Sequence, residues 1–148
     1  MSTMTALATQ VYQVFIKAPP EAIWEAITRP DFTEKYFYGS RVTVTAEAYT
    51  GQDRDGNDLV IGAVSEFDPP RRLVHEWRSL YDPDMALEQA SRVTWEIEAQ
   101  ESGYSLLTVV HDQLDNSPKT AESVSGVGWM LVLSGLKTLV ETGKPLAD

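Results

Sequence analysis

The stretch Ser117–Lys144 constrains the fold more than any other part of the chain. Placed on one helix at about 100° per residue, Val124, Val127, Trp129, Leu131, Val132, Leu133, Leu136, Leu139 and Val140 spread over more than half the circumference. A helix apolar over so wide an arc must be covered on most of its surface, so the rest of the chain has to wrap it. Near the centre of the arc stand Gly128 and Gly135, each costing roughly 1 kcal/mol of helix stability relative to alanine. Two readings account for them. Either the helix backbone packs closely on a neighbour, or the glycines leave room and the helix roofs a cavity.

With 148 residues, 43% apolar and 23% charged, the chain reads as one soluble domain over 1–148. Its ordered core is expected over about 11–143, with disorder in the first eight residues and the last few. A net charge of −10, with no run of Lys or Arg, opposes nucleic-acid binding. The absence of cysteine removes disulfides, thiolate metal sites and a cysteine nucleophile. Met1–Gln10 has neither a basic nor an apolar leader segment, and no apolar run reaches membrane-spanning length. The expected location is therefore cytoplasmic, without membrane insertion.

Val11–Lys17 reads as a first strand, and Pro19-Pro20 suits the first turn of a helix over Glu21–Thr28 that Pro30 ends. Asp31 is placed to cap a second short helix through Phe37. From Arg41 to about Asp112 the period is two, with frequent turns, which predicts an antiparallel meander. Ala46–Gln52 either continues the Val42–Val44 strand or forms its neighbour. Further strands follow over Leu59–Phe67, Arg72–Ser79, Ser91–Ala99 and Tyr104–Asp112. The fold class is α+β: a curved antiparallel sheet of about six or seven strands around a long C-terminal helix, with two short helices after the first strand.

Alternation turns Leu73, His75, Trp77, Val93, Trp95, Ile97, Leu107, Val109 and His111 towards that helix. If the strands start level, Trp77, Trp95 and Val109 form an aromatic floor and the histidines lie at opposite ends. They are then two strand spacings, roughly 10 Å, apart sideways before any longitudinal offset. That distance excludes a shared metal ion, which needs ligands about 2 Å from one point. The loop Leu80–Ala90 places Tyr81 and Met85 at the rim of any pocket, or makes them loop anchors. No phosphate loop, zinc-protease helix, nucleophile elbow or calcium loop is present, and Asp53–Asp58 reads as a hairpin turn. No metal and no cofactor is expected.

Several stretches together resemble one family: Ala18–Pro30, Gly62–Leu73 followed by Trp77, Val93–Glu98, Leu107–His111, Gly128-Trp129 and Leu136-Lys137. They are similar to the activator of Hsp90 ATPase homologue 1-like (AHSA1-like) family of the START/Bet v 1-like, or SRPBCC, superfamily. The resemblance spans residues 11–143 and implies a helix-grip fold with a hydrophobic cavity between sheet and C-terminal helix. The chain departs from the family pattern at Lys35–Gly39, where many members carry a Trp-Phe pair, and lacks the usual Gly-Gly turn within Arg41–Tyr49.

The leading expectation is a module binding a small apolar or aromatic ligand, a lipid, polyketide or aromatic metabolite. Its candidate contacts are Tyr36, Phe37, His75, Trp77, Tyr81, Trp95, Val109, His111, Gly128, Trp129 and Gly135. The alternative is an enzyme, of cyclase or hydrolase type, using His75 or His111 as general acid or base. An Hsp90-type chaperone partner, suggested by the name of the family, is disfavoured by the acidic composition, and a homodimer is open.

Overall fold

The computed structural model describes residues 8–147. The disorder expected at the chain ends falls mostly on residues 1–7 and 148, outside the described residues. The elements in order are β1 Gln10–Ile16, α1 Pro20–Thr28, α2 Pro30–Thr33, β2 Arg41–Val44, β3 Ala48–Gln52, β4 Asp58–Asp68 and β5 Arg72–Ser79. They continue with β6 Ser91–Ala99, β7 Ser105–Asp112, α3 Pro118–Val124 and α4 Val127–Thr142.

The seven strands form one antiparallel sheet in the order β1-β7-β6-β5-β4-β3-β2. Register shifts at Gly51/Gln52 and at Val64/Glu66 put irregularities into β3 and β4, the positions where a sheet bends and twists more strongly. β7 alternates strictly, with Leu107, Val109 and His111 wholly buried on the inner face. The arrangement is the α+β helix-grip fold: a curved sheet with the C-terminal helical segment against its inner face.

That segment is two helices rather than the one expected. α3 and α4 are bent by 46° at Ser125-Gly126. Gly126 has φ 59° and ψ −105°, a conformation side chains disfavour, and begins α4 as its N-cap. β1 holds the bend from below. The Gly126 N–H donates to the Tyr12 hydroxyl (3.0 Å), which donates to Gln10 Oε1 (2.9 Å), while Gln10 Nε2 donates to the Ala121 carbonyl (3.3 Å). α4 ends at Gly143, φ 77°, whose N–H returns to the Leu139 carbonyl.

The predicted apolar arc is narrower in the structure. Val127 and Leu131, counted in that arc, are 63% and 46% exposed, because they lie on the side of α4 opposite its buried stripe. The buried stripe of α4 is Trp129, Val132, Leu133, Gly135, Leu136 and Leu139, ordinary i, i+3, i+4, i+7 spacing. Among the described residues no single helix is long and apolar enough to cross a membrane; only the bent α3–α4 pair reaches that length and composition.

The second short helix also stops earlier than Phe37, at Thr33, with Arg29 rather than Asp31 as its N-cap. Hydrogen-bonded turns then carry the chain to Ser40, bringing Tyr36 and Phe37 beneath α4.

Candidate ligand site

Pairing register, which alternation does not determine, sets the inner face in rows. Leu73, Trp95, Val109 and Tyr12 are partners across four strands; His75, Val93, His111 and Gln10 form the next row; Trp77 faces Ser91 beyond. The two histidines are therefore level, flanking Val93, rather than at opposite ends. Trp77 stands two rows away from Trp95 and Val109. The level starts assumed for the strands fail because Arg72, at the start of β5, pairs with Glu96, whereas Ser105, at the start of β7, pairs with Ala99, three residues further along β6.

Under the first turns of α4 this middle of the sheet is solid. The Trp95 indole N–H donates to His75 Nε2 (3.0 Å), so the His75 proton is on Nδ1, which donates to the Glu76 carbonyl (2.8 Å). The Trp129 indole N–H donates to His111 Nδ1 (3.1 Å), and His111 Nε2–H donates to Ser91 Oγ (2.8 Å), whose hydroxyl donates to the Trp77 carbonyl. Tyr49 stacks flat on His75 with ring centroids 3.8 Å apart. Burial drives the His75 pKa down to about 4. Burial, then the neighbouring His75, drives that of His111 down to about 3. Both rings are neutral, fully hydrogen-bonded and 0% exposed, and neither has a lone pair left for a substrate.

The open space lies to one side, at the α3–α4 bend. A cavity of about 420 Å³ is walled by Phe37, Trp77 and Trp129, with Leu59, Val124 and Val132 completing its apolar surface. Phe37 stacks over Trp77 (6.1 Å, 27°) and meets Trp129 edge-on (6.0 Å, 73°). Val60, Ser40 and Gly128 also line it, and the half-exposed Tyr38 and Tyr81 stand at its mouth. Each tyrosine is tied to the bend: Tyr38 donates to the Gly128 carbonyl (3.3 Å), and the Tyr81 hydroxyl bonds Ser123 Oγ (2.8 Å). No charged side chain lines this cavity among the described residues. A second hollow, of about 640 Å³, is bordered by Glu47, Glu76, Arg78 and Glu88, a charged lining of the kind water satisfies.

The two glycines part company here. A β-carbon on Gly135 would stand 2.9 Å from Tyr36 Cβ, so Gly135 is the close-packing glycine and roofs no space. Tyr36 is wedged there with its hydroxyl on the Ala26 carbonyl (2.6 Å). Gly128 does line the cavity, and a β-carbon on it would meet the Ser123 carbonyl at 3.0 Å, so it also lets α3 fold back on α4.

The sequence pattern of the activator of Hsp90 ATPase homolog 1-like protein family matches residues 17–141. The chain belongs to that family. Solved structures share the fold of this AHSA1-like protein at low identity. Protein MLL2253 of Mesorhizobium loti is 21% identical with a TM-score of 0.71, covering 89% of this chain and 96% of its own. CalU16 from Micromonospora echinospora is 24% identical with a TM-score of 0.67, covering 94% and 77%. Aha1 from Colwellia psychrerythraea, solved in solution as a dimer, is 18% identical with a TM-score of 0.68, covering 93% and 99%. No curated protein matches the sequence.

Of the candidate contacts, Phe37, Trp77, Tyr81, Gly128 and Trp129 surround the cavity of this AHSA1-like protein. Tyr36, His75, Trp95, Val109, His111 and Gly135 do not; they are core. Met85, the other rim candidate, does not line it either. Tyr38, Ser40, Leu59, Val60 and Ser123 line it without having been singled out. Leu59 and Val60 carried a signal, since they stand at the start of a strand just after the Asp55–Asn57 turn, but Tyr38 and Ser40 sit in irregular chain where no period speaks.

Proposed function

We propose that this AHSA1-like protein binds a small apolar or aromatic molecule in the cavity at the α3–α4 bend. The observation that carries the reading is the cavity itself: about 420 Å³, walled by the rings of Phe37, Trp77 and Trp129, uncharged, and open beside two tyrosines. Its volume falls in the range of about 300–1,000 Å³ typical of small-molecule sites, and an apolar lining with sparse hydroxyls is their usual chemistry. Binding there uses ring and aliphatic contact, with the two tyrosine hydroxyls ordering the rim. The histidines serve as hydrogen-bond acceptors that fix Trp95 and Trp129, so an acid–base role for them has no support in this geometry.

Titration with a library of lipids and aromatic compounds, followed by tryptophan fluorescence, tests the reading. Trp77 and Trp129 are expected to report a bound ligand. Leu59→Trp fills the cavity, and it should abolish that response with the unfolding midpoint little changed. Undiminished binding to Leu59→Trp would remove the cavity as the site.

A further inference from the structure

Among the described residues four hydroxyls border the cavity, and three of them are committed. Tyr38 donates to Gly128, while Tyr81 and Ser123 bond each other. The fourth, Ser40 Oγ, has no hydrogen-bond partner among the described residues, although Ser40 is only 7% exposed and lines the cavity. Ser40 Oγ is not sealed off, so it is open to a bond from a molecule in the cavity. Ser117 offers a contrast: its Oγ is also unpartnered but sealed from any space, so no ligand reaches it.

The backbone around Ser40 is rigidly placed. Its N–H donates to the Phe37 carbonyl (2.9 Å) and its carbonyl accepts from Thr33 Oγ1 (3.0 Å). The facing strand leaves space for the hydroxyl, since a β-carbon on Gly51 would come within 2.8 Å of Ser40 Oγ. A carboxylate or ammonium in this cavity would lose its water with no opposite charge to replace it.

We propose that the Ser40 hydroxyl is the specificity-determining polar contact of the cavity, and that the site takes an uncharged ring-sized molecule bearing a carbonyl or hydroxyl oxygen. This rests on the cavity being the ligand site. The aromatic walls accept the hydrocarbon part, and Ser40 Oγ, which can donate or accept, satisfies the single oxygen while being satisfied itself.

The test compares indane, 1-indanone and indane-1-carboxylate by following the tryptophan indole N–H signals in ¹H–¹⁵N NMR. Ser40→Ala should leave indane affinity unchanged and weaken 1-indanone by about three- to tenfold, the usual worth of one hydrogen bond. Ser40→Thr should restore it. Gly51→Ala, which displaces the hydroxyl rather than deleting it, should weaken 1-indanone in the same sense. The carboxylate should bind about tenfold more weakly than indane or not at all. If Ser40→Ala and Gly51→Ala leave the ratio of the two neutral affinities unchanged, Ser40 is not the contact, although the cavity stands. If wild-type protein binds neither neutral probe, the cavity reading and this assignment fall together.

Discussion

Two regions under the same helix use the same residue types in opposite ways. In the middle of the sheet, Trp95, Trp129, His75, His111 and Tyr49 are locked by stacking and by indole-to-imidazole hydrogen bonds, with no free polar atom among the histidines. At the α3–α4 bend, Phe37, Trp77 and Trp129 enclose about 420 Å³ of unfilled space. Aromatic content does not distinguish them. What does is the 46° break, which lifts the start of α4 away from a straight path and leaves a gap the neighbouring rings do not fill. Dense packing and a pocket are thus adjacent outcomes of one helix, and Trp129 is a wall of both.

Acid is the strongest way to break the filled region. Both histidines are neutral in the fold with pKa values near 4 and 3, whereas the unfolded chain takes up protons near 6.5. The unfolded state binds the extra protons, so stability is full above about pH 6.5 and falls as pH drops towards 4. Each histidine should contribute about 1.4 kcal/mol per pH unit in that window. Urea unfolding at pH 7, 6 and 5 measures it. His111→Gln should lower the slope between pH 6 and 5 by about that amount, and an unchanged slope would reject the assignment.

Next in size is Trp129→Ala, which removes a wall of both regions and leaves His111 Nδ1 without its donor. It should cost about 3–5 kcal/mol of stability in urea unfolding and also abolish ligand binding. A variant of near wild-type stability would separate the two regions after all.

Gly135→Ala should cost about 1–2 kcal/mol, since the new methyl group meets the rigid Cβ of Tyr36 and overpacking outweighs the gain in helix propensity. A stabilised variant would mean that the helix has room there. Smallest is Tyr81→Phe, which deletes an exposed hydroxyl bonded to Ser123 and should change stability by no more than about 0.5 kcal/mol. Its readout is kinetic: ligand release should quicken if the Tyr81–Ser123 bond holds the mouth.

Much of the fold was legible in local pattern. Period-two alternation turned His75, Trp77, Trp95 and His111 inward, and the proline and glycine signals bounded the strands and the C-terminal helical segment. The site was less so. Phe37, Trp77, Tyr81, Gly128 and Trp129 were legible as residues near a helix that grips a sheet, but Ser40 and Tyr38 lie in turns that carry no period. The histidine level could not be read because a strand pattern repeats unchanged when its partner slides by two residues.

The bend shows the same division on a single residue. Gly126 lies inside a run whose apolar spacing looks continuous, and a single glycine costs a helix only about 1 kcal/mol, too little to force a break. The break is held by bonds from β1, Gly126 N–H to Tyr12, 114 positions earlier in the chain, and Gln10 to the Ala121 carbonyl. By itself the sequence determined the order of strands and helices, the inward faces and the family, because those follow from local propensity and burial period. Tertiary structure alone decided which aromatic residues fill the core and which surround a cavity, because that depends on register and on a helix bend set by contacts between distant segments.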